Sequence, residues 1–261
     1  MRTLSIAATG MLAQQTNVDV ISNNIANMNT TGFKRQRAEF QDLLYEQVVR
    51  PGSSTSAQTR SPTGIQIGSG VKTGAIYRIN EQGSTQQTDN QYDLAIQGHG
   101  YFQITLPDGS TGYTRDGSFG VSDQGELVNS DGFPVQPGIT VPQNAVGVTV
   151  SKTGQVDVVL GGADPTPQTI GQLQLTTFVN EGGLEAKGGN LFLETAASGA
   201  PITGTPGDPG FGTLMQGFVE ASNVNPVAEI TALITAQRAY EMNSRVVKTA
   251  DEMLATTSQL R

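Results

Sequence analysis

The last 37 residues of the chain, 225–261, constrain the fold most strongly, because they contain no glycine and no proline beyond Pro226. Asn225 is a favourable helix cap, and proline suits the first helical position, where its missing N–H costs nothing. Apolar residues recur every seven positions and form a wide stripe along one predicted helix. They are Leu233, Tyr240, Val247 and Leu254, beside a second row at Ala232, Ala239, Val246, Met253 and Leu260. A stripe of this kind must be buried against another surface.

A second helical pattern lies at the opposite end of the chain, from residue 3 to about residue 28. Its apolar residues alternate at spacings of four and three, which is typical of a coiled-coil seam. The seam consists of Leu4, Met11, Val18, Ile21 and Ile25, with one polar position at Gln14. We expect the two terminal helices to pair at one end of the molecule. The spacing fits two core helices of one globular domain equally well.

Between the helices the period of the apolar residues changes to two. Alternating runs at 92–96, 102–106, 146–150, 156–160 and 173–179 are separated by Asp-Gly and Gly-Gly turn signals. This pattern predicts an antiparallel β domain, either a sandwich or a partly closed barrel. Residues 197–212 contain three prolines and five glycines and are expected to be loop. The predicted fold class is α+β.

Composition excludes several classes of function. The net charge of −8 argues against nucleic acid or an anionic membrane as the main partner. The chain has no cysteine, so disulfides and thiolate sites are excluded. No apolar run approaches the roughly 20 residues that span a bilayer, so we expect no membrane insertion. The N-terminal residues lack the apolar core and cleavage site of a signal peptide, so any export is expected to use another route.

The sequence contains no recognisable reaction centre. The single histidine, His99, lies between Gly98 and Gly100, without an orienting partner or further metal ligands that the sequence reveals. Tight backbone packing between two strands explains the two glycines better than catalysis does. Nothing in the sequence favours Glu126 or Glu194 as a glycosidase acid. We therefore expect no catalytic residue, no cofactor and no metal.

Four ordered blocks of sequence carry a resemblance to a known family. The first is an asparagine-rich motif that ends in Thr-Gly-Phe-Lys, and the others are residues 93–102, 113–119 and the helix opening at 222–225. Together they resemble the flagellar rod and hook family, the axial proteins of the bacterial flagellum. The residues of the first motif are Asn23, Asn24, Asn27, Gly32, Phe33 and Lys34.

The resemblance implies a domain organisation and an assembly. Residues 1–33 and 222–261 would form an inner helical domain around a central channel, and residues 73–221 an outer β domain. Residues 34–72 would form an extended connecting hairpin. Subunits would polymerise with themselves, leave the cell through the flagellar type III export apparatus, and assemble in the periplasm. Their neighbours would be proximal rod proteins, hook proteins and the ring proteins that surround the rod.

Residues 45–64 are the most discriminating part of the connecting region. A polar run of serine, threonine and glycine between two prolines predicts an exposed loop or hairpin tip. By itself it is a flexible loop, but it resembles the insertion that separates distal-rod members of the family from hook members. There the insertion is implicated in making the rod straight and stiff. The residues that carry this resemblance are Val48, Val49, Arg50, Pro51, Arg60 and Pro62.

Three alternatives remain open at this point. The chain resembles a distal-rod subunit, but a hook or proximal-rod subunit shares the same terminal motifs. A protein of a different class, a secreted β-domain hydrolase or carbohydrate-binding protein dimerised by its helices, is the third reading.

The basic run from Lys34 to Arg37 is either a solvated cationic surface or a docking site for an acidic neighbour.

Overall fold

The computed structural model describes residues 2–52, 62–161 and 166–259, with side chains through residue 256. The described residues fall into two compact units. Unit 1 comprises residues 2–26, 36–52, 62–78 and 225–259, and unit 2 comprises residues 27–35, 79–161 and 166–224. The combination of two terminal helices with mainly antiparallel sheets confirms the predicted α+β class.

Unit 1 contains the two helices, α1 (Arg2–Ala26) and α2 (Pro226–Gln259). The Asn225 side chain accepts hydrogen bonds from the N–H groups of Val227 and Ala228, at 3.1 and 3.2 Å, which confirms the predicted cap. A Cβ on Gly10 would lie 2.9 Å from the Asn243 amide nitrogen, while Asn24 is bonded to Glu229. A residue near the start of α1 therefore lies beside the later part of α2, and a residue near the end of α1 lies beside the start of α2. The two helices are antiparallel.

The buried apolar residues of the two helices are mostly small. The buried apolar residues are Ala7, Ala13, Val20 and Ile21 on α1 and Ala236 and Ala250 on α2. Of the predicted seam, only Ile21 is fully buried. Half-buried seam residues are Leu4, Met11, Val18, Ile25, Leu233 and Val247, whereas Tyr240 and Leu254 are 44% and 46% exposed. The helices are present as expected, while their packing as a coiled coil remains a prediction.

Unit 1 also contains a two-stranded antiparallel ribbon. Strand β1 (Gln36–Asp42) pairs with β4 (Val71–Arg78), and β2 (Tyr45–Val49) pairs with β3 (Ile65–Gly68). Hydrogen bonds from Leu43 N–H to Gly70 O and from Ser69 N–H to Leu44 O join the two pairs, at 2.8 and 3.2 Å. Pairing is therefore continuous between residues 36–49 and 65–78.

Unit 2 is built from short antiparallel strands. Its strands are β5 (Thr85–Gln87), β6 (Leu94–Gln97), β7 (Phe102–Thr105), β8 (Thr111–Thr114), β9 (Gly120–Val121), β10 (Leu127–Val128), β11 (Ala145–Val150), β12 (Gln155–Leu160), β13 (Pro167–Gln172), β14 (Leu175–Thr177), β15 (Glu185–Gly188), β16 (Leu191–Leu193), β17 (Ile202–Gly204), β18 (Thr213–Gln216) and β19 (Phe218–Glu220). The sheet orders are β15-β16-β8-β7, β11-β12-β13, β6-β18, β5-β19, β9-β10 and β14-β17. The predicted alternating runs correspond to β6, β7, β11, β12 and β14.

A single turn geometry recurs along unit 2. Each turn has five residues. The N–H of the first residue donates to the carbonyl of the fifth, and the N–H of a glycine at the fourth position donates to the carbonyl of the first. All four glycines have φ between 80° and 84°, a region that other residues rarely adopt. The turns span residues 106–110, 122–126, 129–133 and 151–155.

The expectation of a loop over residues 197–212 is wrong in part. Ile202–Gly204 forms β17 and pairs with Leu175–Thr177 of β14. Three residues beside a proline are too few to produce a period-two pattern, so this strand exists because of its distant partner. The larger of two apolar clusters in unit 2 has as its fully enclosed members Leu94, Ile96, Phe102, Ile104, Val135, Val158, Leu173, Leu175 and Leu214.

Candidate functional site

Three charged residues meet in the interior of unit 2, and we call Lys34, Arg115 and Glu220 the junction cluster. The side chain of Lys34 is 2% exposed, that of Arg115 5% and that of Glu220 1%. Lys34 Nζ lies 2.6 Å from Glu220 Oε1 and also donates to the carbonyl of Glu81 at 2.8 Å. Arg115 Nε and Nη2 lie 2.9 and 2.8 Å from Glu220 Oε2. One carboxylate therefore holds two cations from distant parts of the sequence.

Each oxygen of the Glu220 carboxylate contacts two nitrogen atoms. Oε1 accepts from Lys34 and from the N–H of Gly83 at 2.9 Å, and Oε2 accepts one hydrogen bond from Arg115 Nε and forms an ion-pair contact with Nη2. Burial alone would raise the pKa of Glu220, but Arg115, Lys34 and the Gly83 N–H together lower it below its ordinary value. The pKa of Lys34 is lowered as well, chiefly by burial of the ammonium group. The carboxylate of Glu220 counteracts this lowering, and the positive charge of Arg115 adds to it.

Arg115 also binds the backbone of the two glycines that flank His99. Its Nη1 donates to the carbonyls of Gly98 and Gly100 at 2.8 and 2.7 Å. Both glycines have positive φ, 109° and 135°. A Cβ on Gly98 would lie 3.0 Å from the backbone of Gly212, and one on Gly100 would lie 3.2 Å from Leu175. The close backbone approach expected from the sequence is present.

Asn223 makes a second connection within unit 2. Its side-chain oxygen accepts the N–H of Arg35 at 2.7 Å, and its amide nitrogen donates to the carbonyls of Ile79 and Glu81, both at 2.9 Å. The N–H of Ile79 donates in turn to the carbonyl of Arg35 at 2.8 Å. Residues that precede α2 in the sequence are thus bonded to residues that follow α1.

Unit 1 contains an analogous arrangement around Asn24, which is 1% exposed. The Asn24 amide donates to the carbonyl of Gln36 and accepts the N–H of the same residue, both at 2.8 Å. Its second amide hydrogen points to Glu229 Oε2, 3.1 Å away and also buried. Glu229 lies in the first turn of α2, where a negative charge is favourable for the helix.

Gly32 of the asparagine-rich motif is required by geometry. Its φ is 68°, and its N–H donates to the carbonyl of Glu220 at 2.8 Å. A Cβ at this position would lie 2.8 Å from the Asp116 nitrogen and 2.9 Å from the Arg115 carbonyl carbon. Only glycine fits without moving the backbone.

The remaining motif residues lie nearer the surface. Asn27 and Phe33 are half-buried, and Asn23 is exposed. The Asn27 side chain accepts a hydrogen bond from the Thr30 hydroxyl at 3.1 Å, which stabilises the turn after α1.

The residues predicted to stiffen a rod lie in and beside the ribbon of unit 1. Val48 and Val49 belong to β2, with Val48 56% exposed. Arg50, Pro51 and Pro62 are exposed, and Arg60 lies outside the described residues.

The prediction of a cationic surface from Lys34 to Arg37 is wrong for its first residue. Lys34 is enclosed in the junction cluster, where it cannot contact a partner. Arg35 is half-buried, and the exposed Arg37 pairs with Glu39 at 2.7 Å. Sequence reasoning had no means of pairing Lys34 with a carboxylate 186 positions away.

A cleft of about 250 Å³ in unit 2 contains a histidine beside a carboxylate, a pair that occurs in reactive sites. His99 Nδ1 lies 3.6 Å from Glu181 Oε1, an orienting partner that the sequence did not reveal. His99 is nevertheless 80% exposed, and the same glutamate accepts a bond from the Tyr101 hydroxyl at 3.3 Å. Within residues 2–52, 62–161 and 166–259, no three His, Cys, Asp or Glu side chains are grouped to hold a metal ion.

Neither helix in the described part of the chain is both long and apolar enough to cross a membrane.

The chain matches three models of flagellar families. "Flagella basal body rod protein" covers residues 4–34, "Flagellar hook protein FlgE/F/G D1 domain" covers 95–158, and "Flagellar basal body rod FlgEFG protein C-terminal" covers 215–260. The flagellar basal-body rod protein FlgG of Caulobacter vibrioides is 64% identical over 262 residues, with both chains covered completely. This chain belongs to the FlgG family.

Other FlgG proteins are similar over the whole length. That of Agrobacterium fabrum is 52% identical and covers 99% of each chain, and that of Borreliella burgdorferi is 47% identical over 100% of this chain and 99% of its own. The protein is a structural subunit of the flagellar basal-body rod. The prediction of a distal-rod subunit is confirmed, and the relatives do not favour the hook alternative.

The sequence pointed to some residues of the junction cluster and of the bonds around Asn24 and Asn223, but not to others. Asn24, Gly32 and Lys34 were singled out, and Arg115 and Asn223 lie inside the quoted blocks without having been assigned a role. Glu220 and Glu229 were missed. Both lie in segments where a glutamate is normally exposed, and only the cations and amides that converge on them explain their burial.

Proposed function

We propose that the protein polymerises through its terminal helices into a straight, rigid, tubular drive shaft that transmits motor torque to the hook. The observation that carries this proposal is the number of large apolar side chains that α2 leaves exposed. They are Val227, Ile230, Ile234, Tyr240, Met242, Val246, Met253 and Leu254. Soluble monomers rarely expose so many apolar residues along one element, and further copies of the chain would bury them.

The two helices differ in length, which supports the same proposal. At 1.5 Å per residue, the 34 residues of α2 extend about 51 Å and the 25 residues of α1 about 37 Å. The antiparallel register places Gly10 beside Asn243, so the last turns of α2 continue past the start of α1. Met253 and Leu254 lie in these turns and are 56% and 46% exposed.

The proposal includes the domain organisation that the family resemblance implies. Residues 1–33 and 222–261 form the inner domain around a central channel, with coiled-coil-like packing completed between subunits. Residues 34–72 form the connecting region, and residues 73–221 form the outer domain. The seam of Leu4, Met11, Val18, Ile21, Ile25, Leu233, Tyr240, Val247 and Leu254 is then shared among neighbouring copies.

Electron microscopy of concentrated purified protein tests polymerisation through the helices. Wild-type protein is expected to form filaments, and Leu254→Ala is expected to reduce their number while unit 2 stays folded. A large-to-alanine change in a buried position costs about 2–5 kcal/mol, and in a filament this loss recurs at every subunit. Glu252→Ala, two positions away and exposed, is the matched control. Equal filament formation by both variants would contradict the proposal.

We further propose that the insertion at 45–64 braces neighbouring subunits. Val48, inside the insertion, and Ile65 and Ile67, directly after it, are exposed to solvent. A two-stranded ribbon is only marginally stable in water and has two unpaired edges. Contacts with neighbouring subunits would bury these side chains and supply hydrogen bonds worth about 0.5–1.5 kcal/mol each. Repeated bracing of this kind would resist the sliding of subunits that bending requires.

Deletion of residues 48–63 tests the bracing. The variant is expected to fold and polymerise, but into curved or more flexible filaments, because the lateral contacts are lost. A second variant replaces residues 53–61 with an equal number of glycine and serine residues and separates the effect of sequence from that of length. Filaments of unchanged persistence length from the deletion variant would reduce the insertion to a spacer.

Partners and location complete the proposal. The neighbours are other copies of the chain, proximal rod and hook proteins, and the ring proteins around the rod. Subunits reach the periplasm through the flagellar type III export apparatus. Nucleic acid and membrane lipid have no part in this assembly, and no catalytic step, cofactor or metal is assigned. Isolation of basal bodies, followed by mass spectrometry of chemically cross-linked peptides, would identify the neighbours directly.

A further inference from the structure

We infer that Glu220 is a positioning residue on which both terminal connections of unit 2 depend, whereas Lys34 positions only its own. The N-terminal connection is residues 27–35, which follow α1, and the C-terminal connection is residues 220–224, which precede α2. This inference concerns the folded unit itself and does not require polymerisation.

The N-terminal connection is bonded to the C-terminal connection at three points. The N–H of Gly32 donates to the carbonyl of Glu220 at 2.8 Å, and Lys34 pairs with the Glu220 carboxylate at 2.6 Å. The N–H of Arg35 donates to the Asn223 side chain at 2.7 Å. Loss of the C-terminal connection would remove all three partners together.

The C-terminal connection has anchors that do not involve the N-terminal one. Glu220 binds Arg115 through one hydrogen bond and one further ion-pair contact, and it accepts the N–H of Gly83. The N–H of Ala221 donates to the carbonyl of Ser84 at 2.8 Å. These anchors remain when residues 27–35 are released.

The charges make the dependence one-way. If Lys34 leaves the interior, one carboxylate and one guanidinium remain, and they neutralise each other. If Glu220 leaves, two buried cations face each other and lose the carboxylate that binds both of them, and only the weaker attraction of Glu181 to Lys34 remains. Two buried cations without a bonded carboxylate are far more costly than the loss of one ion pair. Release of the C-terminal connection therefore leaves Lys34 with its bond to the Glu81 carbonyl but without the carboxylate that neutralises it. Release of the N-terminal connection leaves Glu220 and Arg115 paired.

Hydrogen exchange on the full chain, read at single amides, tests this order. The reporters are Gly32 N–H for the N-terminal connection, Ala221 N–H for the C-terminal connection, and Ile104 N–H in the core of unit 2. In Glu220→Gln, we expect Gly32 and Ala221 to exchange about 10- to 100-fold faster, the range that corresponds to the loss of a charged hydrogen bond. In Lys34→Met, we expect only Gly32 to accelerate. Glu194→Gln, an exposed glutamate of the same unit, is the control and should change neither.

The double variant Lys34→Met with Glu220→Gln keeps the test decisive if Glu220→Gln alone does not fold. Removal of Lys34 leaves a single buried cation, so the double variant should be better protected at Ala221 than Glu220→Gln is. Equal acceleration of Ala221 in Lys34→Met and Glu220→Gln would overturn the inference, as would a double variant less protected than Glu220→Gln. Acceleration of Gly32 alone in Glu220→Gln would overturn it too.

Discussion

The side-chain amide of Asn24 forms two hydrogen bonds with the backbone of Gln36, one in each direction and both 2.8 Å long. Asn24 lies in the last turn of α1, and Gln36 is the first residue of β1. The amide thus pairs with the strand as a neighbouring backbone would, and its remaining hydrogen reaches Glu229 of α2. One side chain fixes three elements of unit 1.

Asn24→Ala should destabilise the protein by about 1–3 kcal/mol, because buried groups lose their hydrogen-bond partners. Urea denaturation followed by circular dichroism measures the loss in the helices. Asn29 is an exposed asparagine five positions later in the sequence, and Asn29→Ala should change the free energy of unfolding by less than about 0.5 kcal/mol. Indistinguishable midpoints for the two variants would show that the Asn24 bonds contribute nothing.

Gly32→Ala should reduce stability more than an alanine at another glycine with positive φ. The left-handed conformation alone costs a residue with a side chain about 1–2 kcal/mol. At Gly132, φ is 83° and nothing lies within 4 Å of an added Cβ, so Gly132→Ala measures that cost alone. Gly32→Ala adds the collision with residues 115 and 116. Thermal unfolding that ranks the two variants equally would argue against this collision.

Acid should destabilise the protein partly through Glu220. Its pKa is lower in the folded protein than its ordinary value of 4.5, so the unfolded chain binds the proton more readily. The contribution of Glu220 is therefore present above pH 4.5 and is lost as the pH falls through the folded-state pKa. The free energy of unfolding, measured against pH, should fall less steeply below pH 4.5 in Glu220→Gln than in the wild type. Parallel curves would remove Glu220 from this explanation.

In the isolated chain, the backbone amides of the two terminal helices should be poorly protected from hydrogen exchange. Most of the fully buried apolar residues of the two helices are alanines, so the helices bury little apolar area, while ordering the backbone costs about 1–2 kcal/mol per residue. Neighbouring subunits would supply the missing burial. Hydrogen exchange on dilute monomer should therefore find fast amides in α1 and α2 and slow ones between residues 92 and 180. Slow exchange at both ends of a monodisperse monomer would contradict this expectation.

The sequence was sufficient where local pattern decides the structure. Pro226 and the seven-residue spacing of Leu233 and Leu254 predicted α2, and alternation predicted strands such as Phe102–Thr105. These features depend on neighbours within a few positions. Short connections account for the antiparallel pairing of β7 with β8 and of β11 with β12, but not for that of β5 with β19 or β6 with β18.

The sequence was insufficient where distant residues decide the structure. In Phe218-Val219-Glu220, alternation places a glutamate at a strand end, where it is normally solvated. Its burial results from Lys34 and Arg115, which lie 186 and 105 positions away. The same reason made Lys34 resemble a surface cation. Pair contacts of this kind leave no trace in periodicity or composition.

Cryo-electron microscopy of the assembled filament tests the central claim, that the terminal helices carry the polymerisation. In the single chain, Tyr240 and Leu254 are 44% and 46% exposed. The account predicts that both become buried against helices of neighbouring subunits around a central channel, with unit 2 on the outside. A filament held together through unit 2, with Tyr240 and Leu254 still facing solvent, would contradict it.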